Sequence, residues 1–550
     1  MILRHFYKIL FTLLLLTLPL SLYANNVTVS NISLTDPDGA GETINVEFDI
    51  SWGNSWRGSI NHDAAWVFVK YSTDSGSTWN HATLKTSDTS TGYDKNNTSL
   101  GYSQGTGTEL DIIVPDDNTT TAGGGYGAFL ERSYPGAGTV DTNDINLVWD
   151  WGTDGLTGST QARVKVFAIE MVYIPQGSFY IGDGNGGTES TYAFHENGVG
   201  NTPVQITTTS KNITCDNTSY NDDIDTTPVA VDGDGGITGN ANWPTGYEAF
   251  YCMKYEVTQA AYRDFLNMLP LAQQETRTAA TLDGDETGDY VMVGEDGGFD
   301  GRQTITTESD PGSGPYTFGC DLDNDNTVDE ANDGEWQAMN YINWMDLCAY
   351  ADWSALRPMT ELEFEKACRG PMDAVYAEYP WGTLDNTEAE NVTNEGMINQ
   401  ISTESGKGLS NYYSATYGPG GALRNGFAAT SSTNRQTSGA SYYDVMEMGG
   451  NVWERAVTLG NSSGRNFDGT HGDGVLTTAT NNEGNATNTG WPGIDGTPSY
   501  GVTGGTGGGY RGGSWGWGPS VATVSSRDNA AETDTVRYSD DGGRCVRTAP

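Results

Sequence analysis

Residues 448–454 read MGGNVWE, a short segment in which two glycines precede a tryptophan and a carboxylate. The segment lies after Cys368, in a part of the chain where apolar residues no longer recur at helical spacing. Glycine, asparagine, threonine and tryptophan are frequent from there to the C-terminus. Such a composition favours packed loops and ion sites over long regular elements. The C-terminal part of the chain is therefore predicted to be rich in loops.

Upstream of this region the spacing of apolar residues predicts three helical segments. In the first, Thr258 can cap the N-terminus, and apolar residues follow at i, i+3, i+4 and i+7: Tyr262, Phe265, Leu266 and Leu269. The second repeats that spacing with Trp344, Leu347, Cys348 and Ala351. The third opens with Thr360, and Glu363 three residues later completes a capping box. An acidic insertion at about residues 272–335 separates the first helix from the second.

The N-terminal part, residues 25–168, has a different pattern. Residues 44–50, in which apolar and polar residues alternate, and the apolar residues 65–69 both have the pattern of strands, and similar runs occur at 145–151 and 162–168. Glycine, asparagine, aspartate and serine separate these runs, as expected for strands joined by turns. We predict an all-β, sandwich-like domain here and an α+β fold class for the whole chain. No convergent set of titratable residues occurs in this part, so a spacer or docking role is favoured over catalysis.

Residues 1–24 have the pattern of a secretory signal peptide. Arg4, His5 and Lys8 precede an apolar run at residues 9–20, and Ala24 is the small residue before a polar start. The run is short for a membrane-spanning helix, which needs about 20 apolar residues. We therefore expect an exported bacterial-type protein, secreted, on the cell surface or in the periplasm, with no transmembrane segment after cleavage.

The charge of the chain limits its partners. Lys and Arg number 27 against 72 Asp and Glu, which gives a net charge of −45. A field of this sign repels phosphate backbones, so nucleic acid is not expected as a partner. The acidity instead suits solubility or the binding of hard cations.

Seven short segments in order carry a resemblance to a known family. They are 171–179, 254–258, 357–370, 379–382, 448–454, 511–515 and 543–547, and they read MVYIPQGSF, KYEVT, RPMTELEFEKACRG, YPWG, MGGNVWE, RGGSW and GRCVR. Each alone is weak, but together they resemble the formylglycine-generating enzyme, or sulfatase-modifying factor, family over residues 169–550. The resemblance implies a C-type-lectin-like fold with few strands and long irregular loops.

The resemblance also bears on catalysis. Enzymes of this family bind copper(I) through two cysteines that follow the glycine-glycine-serine segment, and the matching positions here are Trp517 and Ala522. Soft thiolates select copper(I), so neither residue replaces them. Copper is not expected, and a non-catalytic protein that binds a protein or carbohydrate ligand is favoured. The alternatives are an oxidase that modifies a sulfatase cysteine and a structural component of the cell envelope.

The segment after Ser514 is the predicted ligand surface, because aromatic and small polar residues give rigid anchors with adaptable contacts. Its expected lining residues are Trp517, Ser520, Ser525, Arg527, Asp528, Asn529 and Tyr538. Trp515 lies within the same segment and is expected in the core.

Calcium is the expected cofactor, at positions that the resemblance implies. The first site would use the side chains of Glu447 and Glu454 and the backbone carbonyls of Gly450 and Val452. Oxygen ligands with two carboxylates suit Ca²⁺. The alternative for Glu454 is a buried carboxylate paired with an arginine such as Arg455 or Arg511. The second site would use Asn391, Val392, Asn425 and Phe427, with Asn425 in place of the aspartate of the family.

The acidic insertion contains a third candidate for calcium. Residues 321–329 read DLDNDNTVD, which places carboxylates at Asp321, Asp323 and Asp325 as a calcium-binding loop does. Asn326 stands where such a loop has glycine, and Asn332 where it has a bidentate glutamate. The alternative is a solvated acidic surface.

The six cysteines are scattered, without CxxC pairs. The resemblance implies structural disulfides near Cys368 and Cys545. The expected partner of Cys545 falls at Ala351, one helical turn after Cys348, so a Cys348–Cys545 bond is a candidate. The alternative is six buried, reduced thiols that pack as small apolar residues.

Overall fold

The computed structural model describes residues 27–86, 101–117, 124–184, 192–197, 202–215, 224–279, 282, 288–294, 302–309, 311–312, 314–413, 418–494 and 496–550. The predicted signal peptide lies outside the described residues. No helix in the described part of the chain has the length and apolar content needed to cross a membrane.

The structure is rich in strands and has few helices, in agreement with the α+β class. The strands are β1 Thr28–Asp38, β2 Thr43–Arg57, β3 Asp63–Ser72, β4 Asn80–His81, β5 Leu110–Ile113, β6 Ala128–Arg132, β7 Gly136–Trp149, β8 Arg163–Ile174, β9 Phe179–Ile181, β10 His195–Glu196, β11 Val204–Ile206, β12 Lys211–Thr214, β13 Val229–Asp232, β14 Gly236–Ile237, β15 Phe250–Met253, β16 Ile305–Ser309, β17 Thr317–Cys320, β18 Arg357–Pro358, β19 Thr387–Glu388, β20 Val392–Thr393, β21 Ile401–Ser402, β22 Leu409–Ser410, β23 Trp453–Val457, β24 Gly508–Arg511, β25 Asp541–Gly542 and β26 Cys545–Thr548. The helices are α1 Gln259–Leu266, α2 Leu271–Arg277, α3 Trp344–Trp353, α4 Glu361–Arg369 and α5 Ser462–Arg465, with 3₁₀ turns at Pro498–Tyr500 and Pro519–Ala522.

The three predicted helices are present with the expected caps. The Thr258 side chain accepts from the backbone N–H of Ala261 at the start of α1. Thr360 and Glu363 form the capping box of α4, in which each side chain accepts from the other's backbone N–H. Helix α2 and the pair β16–β17 lie within the acidic insertion and were not anticipated.

The central sheet joins the two halves of the chain. Its strand order is β18-β26-β15-β8-β3-β6-β5, and β4 pairs with β3. Strand β8 pairs with β3 from Arg163 to Val172 and with β15 from Met171 to Ile174. The predicted domain boundary after residue 168 therefore falls inside a continuous strand, with hydrogen-bonded neighbours from both halves.

A second sheet, β1-β2-β7, packs on one face of the N-terminal end of this central sheet. Val46, Phe48 and Trp52 of β2 share a buried cluster with Val67 and Val69 of β3. Alternating residues on each strand supply this cluster, as the period of two predicts. The N-terminal part thus has two sheets over one core, but one of them continues into the C-terminal part.

The other face of the central sheet is covered by α3 and the loop after it. Phe68 of β3 makes an edge-to-face contact with Trp353 at 5.1 Å between ring centroids. The indole N–H of Trp66 donates to the carbonyl of Ser354 at 2.9 Å. These contacts lock the N-terminal strands onto the helical region.

A smaller sheet, β24-β23-β25, supports the loops near the C-terminus. Strand β23 pairs antiparallel with β24, which places Glu454 opposite Arg511. It pairs parallel with β25, which places Glu454 beside Gly542. The glycine-rich segments 448–454 and 511–515 are brought together by this sheet.

Candidate functional site

The loop after β24 forms the centre of the candidate site. Gly512 and Gly513 have φ of 86° and 72°, a left-handed conformation that favours glycine, and they turn the chain away from the sheet. Ser514 follows, and its Oγ donates to Asp540 Oδ2 at 2.6 Å. The turn therefore fixes a serine hydroxyl against a carboxylate beside β25.

Trp517 lies above this pair on a patch of aromatic rings. Its ring meets Trp453 at 6.2 Å between centroids, and Trp453 meets Tyr510 at 5.8 Å. Burial raises the pKa of Asp540, and hydrogen bonds from Ser514 and Trp517 oppose that rise. The indole thus occupies the site as a packed, hydrogen-bonded group.

Ala522 lies in a second aromatic cluster, with 2% of its surface exposed. It packs against Tyr379 and Trp381, whose rings stack at 4.8 Å. All six cysteines are buried thiols, and they pack in clusters other than those of Trp517 and Ala522. The described clusters around these two positions therefore contain no thiol.

The predicted ligand surface is only partly available. Tyr538 is 47% exposed, Ser520 is exposed, and Trp517, Asp528 and Asn529 are half-buried. Ser525 and Arg527, which were also predicted to line this surface, are buried. Their prediction as surface residues was wrong.

Arg527 is buried because it neutralises a carboxylate beneath the loop. Its Nε donates to Glu361 Oε1 at 2.8 Å and its Nη2 to Glu361 Oε2 at 3.1 Å. Arg511 reaches the same Glu361 Oε1 at 3.1 Å. Ser525, with 2% of its surface exposed, lies in the same buried segment. These residues hold the loop to α4 and are not free to meet a ligand.

Tyr413 belongs to this surface and was not anticipated. It is 44% exposed, and its backbone N–H donates to the carbonyl of Trp517 at 3.1 Å. A Cβ on Gly518 would lie 2.5 Å from the Tyr413 hydroxyl, so the ring packs directly on the loop. More than a hundred positions separate the two residues, so no local pattern could have linked them.

Glu454 is held by an arginine other than those considered from the sequence. Arg544 Nε donates to Glu454 Oε2 and Nη2 to Oε1, each at 2.7 Å. Both residues are fully buried. The proposed partners are engaged elsewhere: Arg455 pairs with Asp541 at 2.9 Å, and Arg511 pairs with Glu361 and Glu365.

Glu447, the other predicted carboxylate, is differently placed. Its Oε1 accepts from the backbone N–H of Gly426 at 2.9 Å. Its Oε2 is buried and finds no hydrogen-bond partner among the described residues. Burial raises the pKa of Glu447 to about 7, with Arg544 opposing the rise. Its φ of 52° is unusual for a residue other than glycine and indicates local strain.

The residues of the second predicted calcium site have separate surroundings in the structure. Asn425 Nδ2 donates to the carbonyl of Glu256 at 2.8 Å, and its buried Oδ1 has no partner in the part of the chain described. Asn391 is exposed, and its Nδ2 donates to Glu404 Oε1 at 2.9 Å. Val392 and Phe427 share an apolar cluster. Asn425 is the immediate neighbour of Gly426, so it lies beside Glu447.

Glu256 is a third buried carboxylate in this region and was missed. Its Oε1 accepts from the N–H of Val452 at 3.1 Å, and its Oε2 accepts from Asn451 Nδ2 at 2.6 Å. Burial raises its pKa well above the usual value, against the effect of Arg544. The segment that carries the predicted carbonyl ligand Val452 is thus fixed by Glu256. Gly450 is fixed through its N–H, which donates to the carbonyl of Gly512 at 2.8 Å.

The residues present fit a calcium ion in part. The orphaned oxygens of Glu447 and Asn425 are buried ligand atoms of the kind that calcium prefers. Both oxygens of Glu454, by contrast, are already bonded to Arg544.

The three predicted aspartates of the acidic loop in the insertion lie close together, as expected. Carboxylate oxygens of Asp321, Asp323 and Asp325 lie within 4.8 Å of one another, and among the described residues this is the one group of three or more that could hold a metal ion in this way. The buried Asp321 accepts from the N–H groups of Asp325 and Asn326 at 3.2 and 3.0 Å. Asp333 is also buried, and its Oδ1 has no partner within the described ranges. Burial, together with the charges of Asp321 and Asp323, raises the pKa of Asp333 to about 6.

Cys348 and Cys545 are neighbours but are not joined by a disulfide in the structure. Burial raises the pKa of Cys348 well above its usual value, and the Cys545 thiol adds to that rise. The reduced alternative therefore describes the structure, and oxidation of this pair stays a prediction.

Comparison with known proteins agrees with the family motifs of the sequence. The model of the sulfatase-modifying factor enzyme 1-like domain matches residues 158–549. The formylglycine-generating enzyme of Thermomonospora curvata is 30% identical over 114 residues, which cover 21% of this chain and 31% of the relative. The match thus spans less than a third of that curated relative. Because the family model covers well over half of the chain, the protein belongs to the sulfatase-modifying factor (formylglycine-generating enzyme-like) family.

Proposed function

We propose that this protein is an exported, non-catalytic binding protein on a sulfatase-modifying-factor scaffold with a C-type-lectin-like fold. The observation that carries the proposal is the pair of residues at the positions of the copper-binding cysteines. Trp517 and Ala522 are packed into aromatic clusters, and neither offers a sulfur ligand. Thiolates bind copper(I), and burial raises the pKa of the Cys252 and Cys320 thiols, which opposes thiolate formation there.

The ligand-binding surface consists of Tyr413, Trp517, Ser520 and Tyr538 around the loop after Ser514. Tyr413 and Tyr538 are large and exposed, and Trp517 is half-buried on firm aromatic support. Rigid aromatic groups bind with little loss of conformational freedom, and the neighbouring Asp528 and Asn529 supply polar contacts. A protein or carbohydrate ligand suits this combination. The pattern of residues 1–24 supports export to the cell surface, the periplasm or the medium.

Copper loading tests the proposal directly. The purified protein is incubated with copper(I) under a competing chelator and then with oxygen and a peptide that contains Cys-x-Pro-x-Arg. We expect no oxygen consumption and no aldehyde in the peptide. The variant W517C/A522C is the matched control for copper binding, because it restores two thiols at the same positions. Turnover of the peptide by the unaltered protein would establish the oxidase alternative, which the name of the curated relative favours.

Calcium is part of the proposal, at two places. Glu447 and Asn425 offer buried oxygens without partners beside Gly450 and Val452. Asp321, Asp323 and Asp325 lie together in the insertion, and the orphaned Oδ1 of Asp333 belongs to the same acidic loop. Clustered carboxylates repel one another, and a divalent cation removes that repulsion. Calcium would act here as a structural ion that holds the loops.

A further inference from the structure

A cavity of about 430 Å³ lies between the central sheet and α1, and no residue of the proposed ligand surface lines it. Phe167, Ala168 and Ile169 of β8 form one wall, and Ala260, Ala261 and Asp264 form the other. Glu335 and Trp336, at the end of the insertion, also line it. We refer to this cavity as the β8 groove.

The side of β8 that faces away from β3 lies along this groove at Ala168. Strand β15 pairs with β8 only from Met171 to Ile174, and the carbonyl of Glu170 then accepts from Lys254 N–H at 2.9 Å. In an antiparallel ladder, alternate residues direct both backbone groups to the same side. Ala168 and Val166 therefore direct their N–H and C=O groups away from β3, as Glu170 does. On the side of β8 that faces away from β3, no described strand pairs with these two residues.

The groove carries an excess of negative charge. Glu170, Asp264, Asp329 and Glu335 line it, and the cation among its lining residues is Arg263. Arg263 is already paired with Asp264 at 2.9 Å and with Asp329 at 2.5 Å. Glu170 is paired with Lys254 through Oε1 at 2.5 Å, but the Oε2 atoms of Glu170 and Glu335 are buried and have no hydrogen-bond partner within the described chain. Buried carboxylate oxygens without partners are costly, so the groove favours a cation.

Aromatic side chains line the groove next to these charges. Phe167 and Trp353 meet edge to face at 5.0 Å between centroids, and Phe68 meets Trp353 at 5.1 Å. Such walls accept apolar side chains and the aliphatic stem of a lysine or arginine. The β8 groove thus combines three features: an unpaired side of a strand, apolar walls, and carboxylate oxygens without hydrogen-bond partners.

We propose that the β8 groove binds an extended peptide segment of a partner protein, which adds a strand to the central sheet and carries a lysine or arginine. The backbone of the peptide pairs with Ala168 and Val166, and its basic side chain meets Glu335 and Glu170. This mode combines affinity from main-chain hydrogen bonds with specificity from side-chain pockets. The site is separate from the loop around Trp517, so it does not depend on the function proposed for that loop.

Fluorescence anisotropy with labelled hexapeptides tests the proposal. The probe alternates lysine with an apolar residue, in three versions with valine, leucine or phenylalanine. One control replaces lysine by glutamate, and the other carries N-methyl groups on alternate backbone nitrogens. We expect at least one lysine peptide to bind, and both of its controls to bind at least about tenfold more weakly. Equal binding of the N-methylated peptide would exclude strand addition.

Two variants locate the binding. Ala261→Trp fills the groove, and Ala272→Trp is the matched control on the exposed face of α2. We expect A261W to abolish binding, A272W to leave it unchanged, and Glu335→Gln to weaken it about tenfold. In hydrogen exchange, the amides of Ala168 and Val166 should become protected only in the complex. Full binding by A261W with an unchanged melting curve, or no binding of any lysine peptide up to about 1 mM, would overturn the proposal.

Discussion

Glu454 and Arg544 meet in a core from which water is excluded. Two parallel hydrogen bonds of 2.7 Å join them, and Arg544 also donates to the carbonyls of Met253, Lys254 and Met446. The arginine therefore ties β23 to the turn after β15 and to the segment before Glu447. Glu454 is the carboxylate that hydrogen-bonds its charge, which makes Glu454 a structural requirement for the site.

We expect Glu454→Gln to destabilise the protein by about 3–5 kcal/mol, because it leaves the Arg544 charge buried without its partner. Chemical denaturation followed by tryptophan fluorescence measures the change. The double variant E454Q/R544M should recover part of the loss, since it removes the unpaired charge. Asp385→Asn is the control, because its ion pair with Lys407 is exposed, and it should have little effect. A loss for E454Q as small as that of the control would contradict the assignment.

Removal of calcium should lower the melting temperature if the two proposed sites are occupied. An ion present at about 100 times its dissociation constant stabilises the folded state by about 2.7 kcal/mol. Thermal melts with excess Ca²⁺ and with chelator measure the difference. Glu447→Gln should remove the part of the calcium-dependent change in melting temperature that comes from the site at Glu447 and Asn425. Asp323→Asn should remove the part that comes from the acidic loop of the insertion. A melting temperature that is the same with and without chelator would exclude structural calcium at both sites.

Among the elements, α4 shows how a local pattern can determine a structure. The Thr360 side chain accepts from Glu363 N–H at 3.2 Å, and Glu363 Oε2 accepts from Thr360 N–H at 3.0 Å. Glu363 also pairs with Arg357 at 2.6 Å, so the cap holds β18 to the helix. The helix carries Glu361 and Glu365, which bind Arg511 beneath the candidate site.

We expect Thr360→Ala to cost about 1–2 kcal/mol, because it removes the cap and the hydrogen bond from Thr360 Oγ1 to the carbonyl of Pro244. Thr360→Ser keeps the hydroxyl and should be nearly neutral. Urea denaturation of both variants, followed by circular dichroism, measures the difference. Equal losses in the two variants would show that the methyl group, and not the cap, is responsible.

The helices and the strands of the N-terminal part could be predicted because their signals lie within a few residues of each other. Thr258 and Thr360 cap helices that begin at the next residue, β2 alternates in burial over residues 46–52 as its sequence does, and the apolar run of β3 is buried throughout. Pairings between distant segments could not be predicted. Ninety positions separate Glu454 from Arg544, and several other arginines were equally plausible from the sequence. Arg527 was misjudged for the same reason, because its partner Glu361 lies 166 positions away.

At the scale of the whole molecule, the N-terminal strands and the helical region share buried polar contacts. Lys70 of β3 is buried, and its Nζ donates to the carbonyl of Trp353 at 2.7 Å. It also lies 2.9 Å from Nδ1 of His81. Burial lowers the pKa of Lys70 to about 7, against the effects of Asp352 and Asp473.

This depressed pKa predicts a pH dependence of stability. Between pH 10.5 and about 7 the unfolded chain takes up a proton at Lys70 that the folded chain does not, so the free energy of unfolding falls as the pH falls. Lys70→Met should remove this contribution, which amounts to about 5 kcal/mol over the window. Denaturation curves at several pH values measure the difference between the variant and the parent protein. Lys407→Met, at an exposed position, is the control, and parallel pH profiles for all three proteins would contradict the prediction.

The shared sheet makes a further prediction about cooperativity. Strands β3 and β6 from the N-terminal part and β15 and β26 from the C-terminal part belong to one ladder, and Phe129 stacks on Tyr251 at 3.9 Å. Separating the halves would expose this ladder and the apolar face beneath α3. We therefore expect one calorimetric transition, in which the described N-terminal strands unfold together with the C-terminal core.

Phe48→Ala tests this, because Phe48 packs only in the cluster between β2 and the N-terminal end of the central sheet. The substitution should cost about 3–5 kcal/mol. If the sheet is one cooperative unit, hydrogen exchange at amides of β26 accelerates as much as at amides of β2, although β26 does not touch Phe48. Leu423→Ala, in a small cluster of the C-terminal loops, is the reciprocal control and should affect β2 in the same way. If F48A accelerates hydrogen exchange less in β26 than in β2, the two halves unfold separately and β8 only joins them. The same would follow from two calorimetric transitions if F48A lowers the melting temperature of one of them.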